Sequence, residues 1–201
     1  ISFKDSGPGM NIERMKIYSQ YAASTKRKTN TQIGGFGLGA KTPFAYHNNY
    51  MIETVAEDES GIKTKYTYQA ILGGDGQSEE SKILLIMNEL STEETGTKII
   101  IPIQEYDRER FEFECYYMSH LWDLQPVFLN FKTVSPAKEL IYTGEGFKVY
   151  KKNTILRENH MCSVAGIIYP IDIYSVRGFK KVDGNYSIVF EFNTGEIALN
   201  G

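Results

Sequence analysis

The first carboxylate of the chain stands in the run Asp5-Ser6-Gly7-Pro8-Gly9-Met10. An acidic residue ending a strand, with glycines at alternate positions after it, sets a carboxylate at the mouth of a pocket and lets backbone approach a ligand closely. Such a carboxylate can accept a hydrogen bond from an exocyclic amine. It can equally bond the local backbone N–H groups of an ordinary strand-to-helix turn. The run Gly34-Gly35-Phe36-Gly37-Leu38-Gly39 has four glycines in six positions, directly before a helical stretch. Successive exposed N–H groups and the positive end of a helix favour phosphate there, with a flexible hinge as the alternative. The run is not a Walker A loop: Thr42 follows Lys41, but the G-x-x-x-x-G-K-[ST] spacing fails at Ala40. The dinucleotide pattern G-x-G-x-x-G does not match either.

These two turns need strands and helices to hold them. Residues 1–5 read as a short buried strand. From Asn11, a natural N-cap, Ile12, Met15, Tyr18 and Ala22 recur at helical spacing and predict a helix over 12–23. Residues 24–35 carry hydroxyls and three consecutive basic residues without an apolar period, and read as a polar loop. A second helix follows the glycine turn, with Pro43 in its first turn. YMIETVAED and IKTKYTYQAIL flank ESG as a hairpin, and SKILLIMNEL and GTKIIIPI supply two more strands. Residues 105–121 return to helical spacing, with Tyr106, Phe113, Tyr117 and Leu121 on one side. Asp107, Arg108, Glu109 and Arg110 read as an exposed helix face. VFLNF, ELIYT, FKVYK, MCSVAGIIYPI and NYSIVFEF then read as strands. The expected division is residues 1–103 and 104–201, with a mixed sheet and helices on one face in the first part.

The 201 residues, 41% of them hydrophobic and 23% charged, exclude a disordered or fibrous chain. With 25 acidic and 22 basic residues the net charge is −3, so whole-surface electrostatics give no support for nucleic-acid binding. Cys115 and Cys162 make neither a disulfide scaffold nor a zinc spacing, and read as buried free thiols of a reducing compartment. His47, His120 and His160 are too scattered for a metal set. No apolar run is long enough for a membrane-spanning helix, and no signal-peptide pattern opens the chain.

The order of these parts resembles the GHKL ATPase superfamily, which includes gyrase B, MutL, the ninety-kilodalton heat-shock chaperones and sensor histidine kinases. The parts are an Asp-x-Gly-x-Gly-Met turn, a helix, a hydroxyl-rich loop, I-G-G-F-G-L-G before a second helix, and a β-meander ending Gly96-Thr97-Lys98. The resemblance covers about residues 1–103. Within that group, STKRKTNTQIGGFGLGAKTPFAY, the IYPI strand and the late GEI segment look most like the rIIA-type proteins of tailed phages.

The resemblance implies an α+β two-layer sandwich, a Bergerat-type ATP-binding fold, followed by a mostly β, transducer-like second domain with a linker helix. It implies that Asp5 accepts from the adenine amine, directly and through water, with Thr97 holding the same water. Gly7, Gly9 and Met10 would line the base. Gly35, Phe36, Gly37, Leu38 and Gly39, continuing into Ala40 and Lys41, would contact the phosphates. Ser24, Thr25 and Lys26 fall where relatives place lid contacts. The implied cofactors are ATP and Mg²⁺. The metal-binding Asn and the Glu that activates water are expected on a helix upstream of Ile1, so the chain reads as an internal piece of a longer protein, and its catalytic residues are unassigned. The implied function is an ATP-dependent conformational switch or ATPase, in the phage case acting in the host cytoplasm on lysis or exclusion control, with a second copy or another protein as partner. The alternatives are a non-catalytic interaction protein with a vestigial nucleotide site, and a histidine kinase-like catalytic domain.

Overall fold

The computed structural model describes residues 1–19, 39–73, 81–133, 135–156, 158, 160–164, 166–172, 184–193 and 196, with backbone alone at 39–41. The chain divides into two units, Ile1–Gln104 and Glu105–Gly201.

In the first unit β1 (Ser2–Lys4) leads to α1 (Ile12–Ser19), a 3-10 turn (Gly39–Ala45), β2 (Asn49–Glu57), β3 (Lys63–Ile71), β4 (Lys82–Leu90) and β5 (Gly96–Ile100). The strands lie in the order β1-β5-β2-β3-β4, each antiparallel to its neighbours. The expected mixed sheet is therefore antiparallel throughout in this unit. The links from β2 to β3 and from β3 to β4 are too short for the crossover that parallel strands require. The β2–β3 turn is held by Asp58, whose Oδ1 accepts from the N–H groups of Ser60 and Ile62, both at 2.9 Å.

Period-two alternation decides which face is buried. On β2, Tyr50, Ile52, Thr54 and Ala56 are buried, whereas Met51 is exposed. The core gathers Met15, Tyr50, Ile52, Tyr68, Ala70 and Ile101, with Met10, Tyr18 and Phe44 packed on it. Met15 is the buried residue of α1, and Asn11 caps that helix by accepting from Arg14 N at 3.0 Å. The predicted helix is described as far as Ser19; residues 20–23 lie outside the described residues. After the glycine run the chain forms a 3-10 turn rather than an α-helix, with Pro43 inside it. Residues 1–5 are not a buried strand. β1 is exposed along its length, because it is a three-residue edge strand with one neighbour, β5.

In the second unit a 3-10 turn (Glu105–Asp107) opens α2 (Arg108–Ser119). β6 (Leu140–Gly144), β7 (Phe147–Lys151), β8 (His160–Val164), β9 (Ile167–Pro170) and β10 (Tyr186–Phe192) follow. Their order is β6-β7-β10-β8-β9, with β8 and β10 parallel and the other pairs antiparallel. The core is Tyr150, Leu156, Met161, Ile168 and Val189, against which Tyr117 and Leu121 pack. The buried positions of α2 are Glu112, Tyr116 and Ser119, and Tyr106 is 82% exposed, so the helix does not bury the single side that its aromatic spacing predicted. The Asp107–Arg110 face is also more engaged than expected, since Arg108 Nε donates to Glu112 Oε1 at 3.0 Å.

The VFLNF segment (127–131) is not a strand. Phe128 and Phe131 pack on the Tyr116 ring, at centroid distances of 4.5 and 5.4 Å. The N–H groups that follow, of Lys132 and Thr133, go to the Glu112 carboxylate rather than to a neighbouring strand. Both cysteines are free and half-buried, and burial pushes their thiols up. Among the described residues no helix is long and apolar enough to cross a membrane.

Candidate functional site

Asp5 leaves β1 and turns back on β5. Its backbone N–H donates to Thr97 O at 2.9 Å, and its Oδ1 accepts from Gly7 N at 2.8 Å and Thr97 N at 3.2 Å. The local bond is the turn-forming role that the sequence leaves open; the bond to Thr97 spans ninety-two positions and ties the turn to the sheet. Among the described residues no hydrogen bond falls on Oδ2, and Asp5 is exposed.

The glycines of the turn are there for want of space. Gly9 sits at φ +68°, and a Cβ on it would lie 1.9 Å from Val55 O. Gly96, at the start of β5, would place a Cβ 2.2 Å from Asp5 O. Each glycine lets one backbone segment lie directly on another, so β1, the Gly9 turn, β2 and β5 meet at one seam. Gly7 is looser, its Cβ position 3.0 Å from Asp5 Oδ1.

A hydroxyl pair lies behind the turn. Thr54 on β2 and Thr97 on β5 are directly opposed in the register, 1% and 9% exposed, with Oγ1 atoms 3.2 Å apart. Thr54 Oγ1 accepts from Met10 N at 2.8 Å and donates to Gly96 O at 3.0 Å. Thr54 is the seam residue that reading the sequence passes over; Gly96 figures there only as part of the Gly96-Thr97-Lys98 motif, without a role. The available signal was one hydroxyl at an inward position of an otherwise apolar strand, Tyr50-x-Ile52-x-Thr54-x-Ala56, where a buried polar atom needs partners.

Five of the residues singled out in the sequence therefore come together: Asp5, Gly7, Gly9, Met10 and Thr97. Gly39, Ala40 and Lys41 lie in the backbone of the 3-10 turn. Ser24, Thr25, Lys26, Gly35, Phe36, Gly37 and Leu38 lie outside the described residues. A cavity of about 300 Å³ opens beside the turn, lined by Pro8, Asn11, Arg14, Ala56, Glu57 and Thr95. Neither Asp5 nor Thr97 lines it, and Arg14 closes one side by donating from Nη1 to Gly9 O at 3.1 Å.

The opposite face of the sheet carries charges. Lys98 pairs with Glu53 at 3.4 Å and Lys65 with Glu93 at 2.6 Å. The hydrogen bond between Lys65 and Glu93 raises the ammonium and lowers the carboxyl from their ordinary values. Among the described residues no group of three or more His, Cys, Asp or Glu is placed to hold a metal ion.

No family model matches the sequence, and no curated protein matches it. Solved structures do. The ATPase region of Saccharomyces cerevisiae topoisomerase II is similar at TM-score 0.51 and 15% identity, over 83% of this chain and 52% of that one. The same region bound to ICRF-187 (dexrazoxane) is similar at TM-score 0.55 and 15% identity, over 94% of this chain and 63% of that one. The ATPase domain of Aquifex aeolicus MutL gives TM-score 0.42 and 11% identity, over 98% of this chain and 79% of that one. The chain thus spans between half and two thirds of the length of the topoisomerase regions it matches. Its mixed α and β architecture is of the kind seen in these topoisomerase II ATPase regions, at low sequence identity.

Proposed function

We propose that the first unit is an adenine-nucleotide-binding module and that the chain works as an ATP-dependent conformational switch of GHKL type. The observation that carries this is the half-used Asp5 carboxylate beside Thr97, on a turn whose Gly9 admits no side chain. A carboxylate oxygen without a partner among the described residues suits the amine of a purine, and in this reading Met10 and Gly9 line the base. The residues fit the base end of ATP. Gly35, Gly37 and Gly39 are the phosphate contacts in this reading, on the strength of the glycine spacing alone, and Ser24, Thr25 and Lys26 are the lid contacts. Bound ATP supplies a charged triphosphate whose contacts differ between two arrangements of the protein, which is what a switch requires. The described residues supply no ligand set for Mg²⁺.

In this reading residues 104–201 act as a transducer-like domain, and a second copy or another protein is the target. The sequence run over 24–46 supports a phage rIIA-like identity, with a role in lysis or exclusion control in the host cytoplasm. One observation favours a second reading, an interaction protein with a vestigial site: Asp5 Oδ1 already serves the turn through Gly7 N.

Thermal unfolding with and without nucleotide separates the two. A ligand that binds only the native state at one hundred times its Kd stabilises it by about 2.7 kcal/mol. ATP or ADP with Mg²⁺ is expected to raise the Tm. No shift with either at millimolar concentration would leave the interaction-protein reading standing alone.

A further inference from the structure

We propose that Thr54 is a positioning residue that fixes the direction of the Thr97 hydroxyl, so that the site offers its ligand acceptors only and selects a purine carrying an amine. The inference rests on the nucleotide-binding reading and assigns to Thr54 the specificity of that site. It follows from counting hydrogens. A threonine hydroxyl has one hydrogen to give and two lone pairs to receive with. Gly96 O cannot donate, so the hydrogen in its 3.0 Å contact belongs to Thr54. Met10 N donates to one lone pair of Thr54 Oγ1, at 2.8 Å. The remaining contact of that oxygen, 3.2 Å to Thr97 Oγ1, can be satisfied only if Thr97 is the donor. Thr54 is 1% exposed, so no solvent is at hand to reverse the order.

The Thr97 hydrogen is then turned toward Thr54, and its oxygen presents lone pairs on its other side. Asp5 is held beside it by Thr97 N, and its Oδ2 also only accepts. Two neighbouring acceptors match an exocyclic amine, with its two hydrogens. The ring nitrogen next to that amine in adenine is itself an acceptor; a water that donates one hydrogen to Thr97 Oγ1 keeps its second for that nitrogen. A 6-oxo purine sets its carbonyl against the carboxylate instead, with no hydrogen between them. Were the Thr97 hydroxyl free to rotate, it could donate to that carbonyl and soften the rejection.

The test compares ATP with inosine triphosphate, which carries a carbonyl where ATP has the amine. Binding of each is measured by calorimetry on the full 201-residue chain, with circular dichroism to check the fold. The wild type is expected to prefer ATP by tenfold or more, as befits a hydrogen bond to a charged group. Thr54→Val keeps the shape and removes the hydroxyl; its preference is expected to fall by about tenfold, and Thr54→Ser to restore it. A purely structural role would weaken both nucleotides equally and leave the ratio unchanged, and that result overturns the proposal. Thr97→Val leaves Thr54 bonded to Met10 and Gly96 and keeps the question answerable if Thr54→Val does not fold. It is expected to lose the preference too, and an unchanged ratio there is equally fatal. Failure of the wild type to bind either nucleotide would overturn the nucleotide-binding reading itself. A wild type that binds ATP while Thr54→Val keeps its selectivity would overturn only the role given to Thr54.

Discussion

Asp5 and Glu112 are carboxylates on either side of the division between the two units, and they are used in opposite ways. Glu112 is 2% exposed and takes four donors: Arg108 Nε at 3.0 Å, Lys132 N, Thr133 N at 2.9 Å and Thr133 Oγ1 at 2.8 Å. Both of its oxygens are occupied by the protein. Burial alone would push its carboxyl up, but those hydrogen bonds outweigh it and hold it at about 2. Asp5 is exposed, with its contacts gathered on one oxygen. A saturated carboxylate holds a fold together, whereas a half-used one at the surface keeps its capacity for something else.

The largest effect expected is at the seam that positions Asp5. Gly9→Ala forces a Cβ toward Val55 O in a backbone conformation that alone costs a non-glycine residue about 1–2 kcal/mol. The turn has to move, and urea denaturation should show a loss of about 3 kcal/mol or more. A stability within error of wild type would mean that the seam is loose and the comparison ill-founded.

Glu112→Ala comes next. It takes the acceptor from the backbone N–H groups of Lys132 and Thr133 and from the half-exposed Arg108. Each buried donor left unsatisfied costs about 1–3 kcal/mol, so urea denaturation should show a loss of that order. The same site sets an acid limb. Its folded-state pKa lies below the ordinary value of 4.5, so its stabilisation is complete above that pH and drains away as pH falls toward 2. Equilibrium unfolding between pH 2 and 6 should show this limb in wild type, flattened in Glu112→Gln.

Asp5→Asn should do the reverse of Glu112→Ala, weakening ATP about tenfold with little change in stability. If it destabilised the chain as much as Glu112→Ala does, the two carboxylates would be alike after all. The smallest effect belongs to the solvent face. Lys65→Met removes the partner of Glu93, and because exposed ion pairs contribute little the denaturation midpoint should not move measurably.

The same contrast explains what could be read from the sequence. The Asp5 turn, the Asn11 cap, the ESG hairpin and the four strands β2 to β5 all write themselves locally, in glycine placement, capping chemistry and period-two alternation. Thr54 and Glu112 do not. Each is a polar residue inside an apolar or aromatic stretch, and its partners come from forty-odd or about twenty positions away. VFLNF misled for a related reason: its composition suits a strand, but the chain that follows it is claimed by a carboxylate on α2. Period-two alternation carries Thr54 to the same face as Tyr50 and Ile52, but only the structure shows what it meets there.

The register of the first sheet has a kinetic consequence. β2, β3 and β4 are joined by hairpins, whereas β1 reaches β5 across almost the whole unit, Lys4 opposite Lys98. Local pairings close early and distant ones late, because the entropy of closing the loop must be spent before the contact returns anything. The three-residue β1 is therefore the last strand to dock and the first to leave. Asp5 and Thr97 lie on the two sides of that joint, so the site exists only once folding is finished. A ligand bridging them would act as a latch, slowing the escape of the native state while leaving the speed of its formation unchanged.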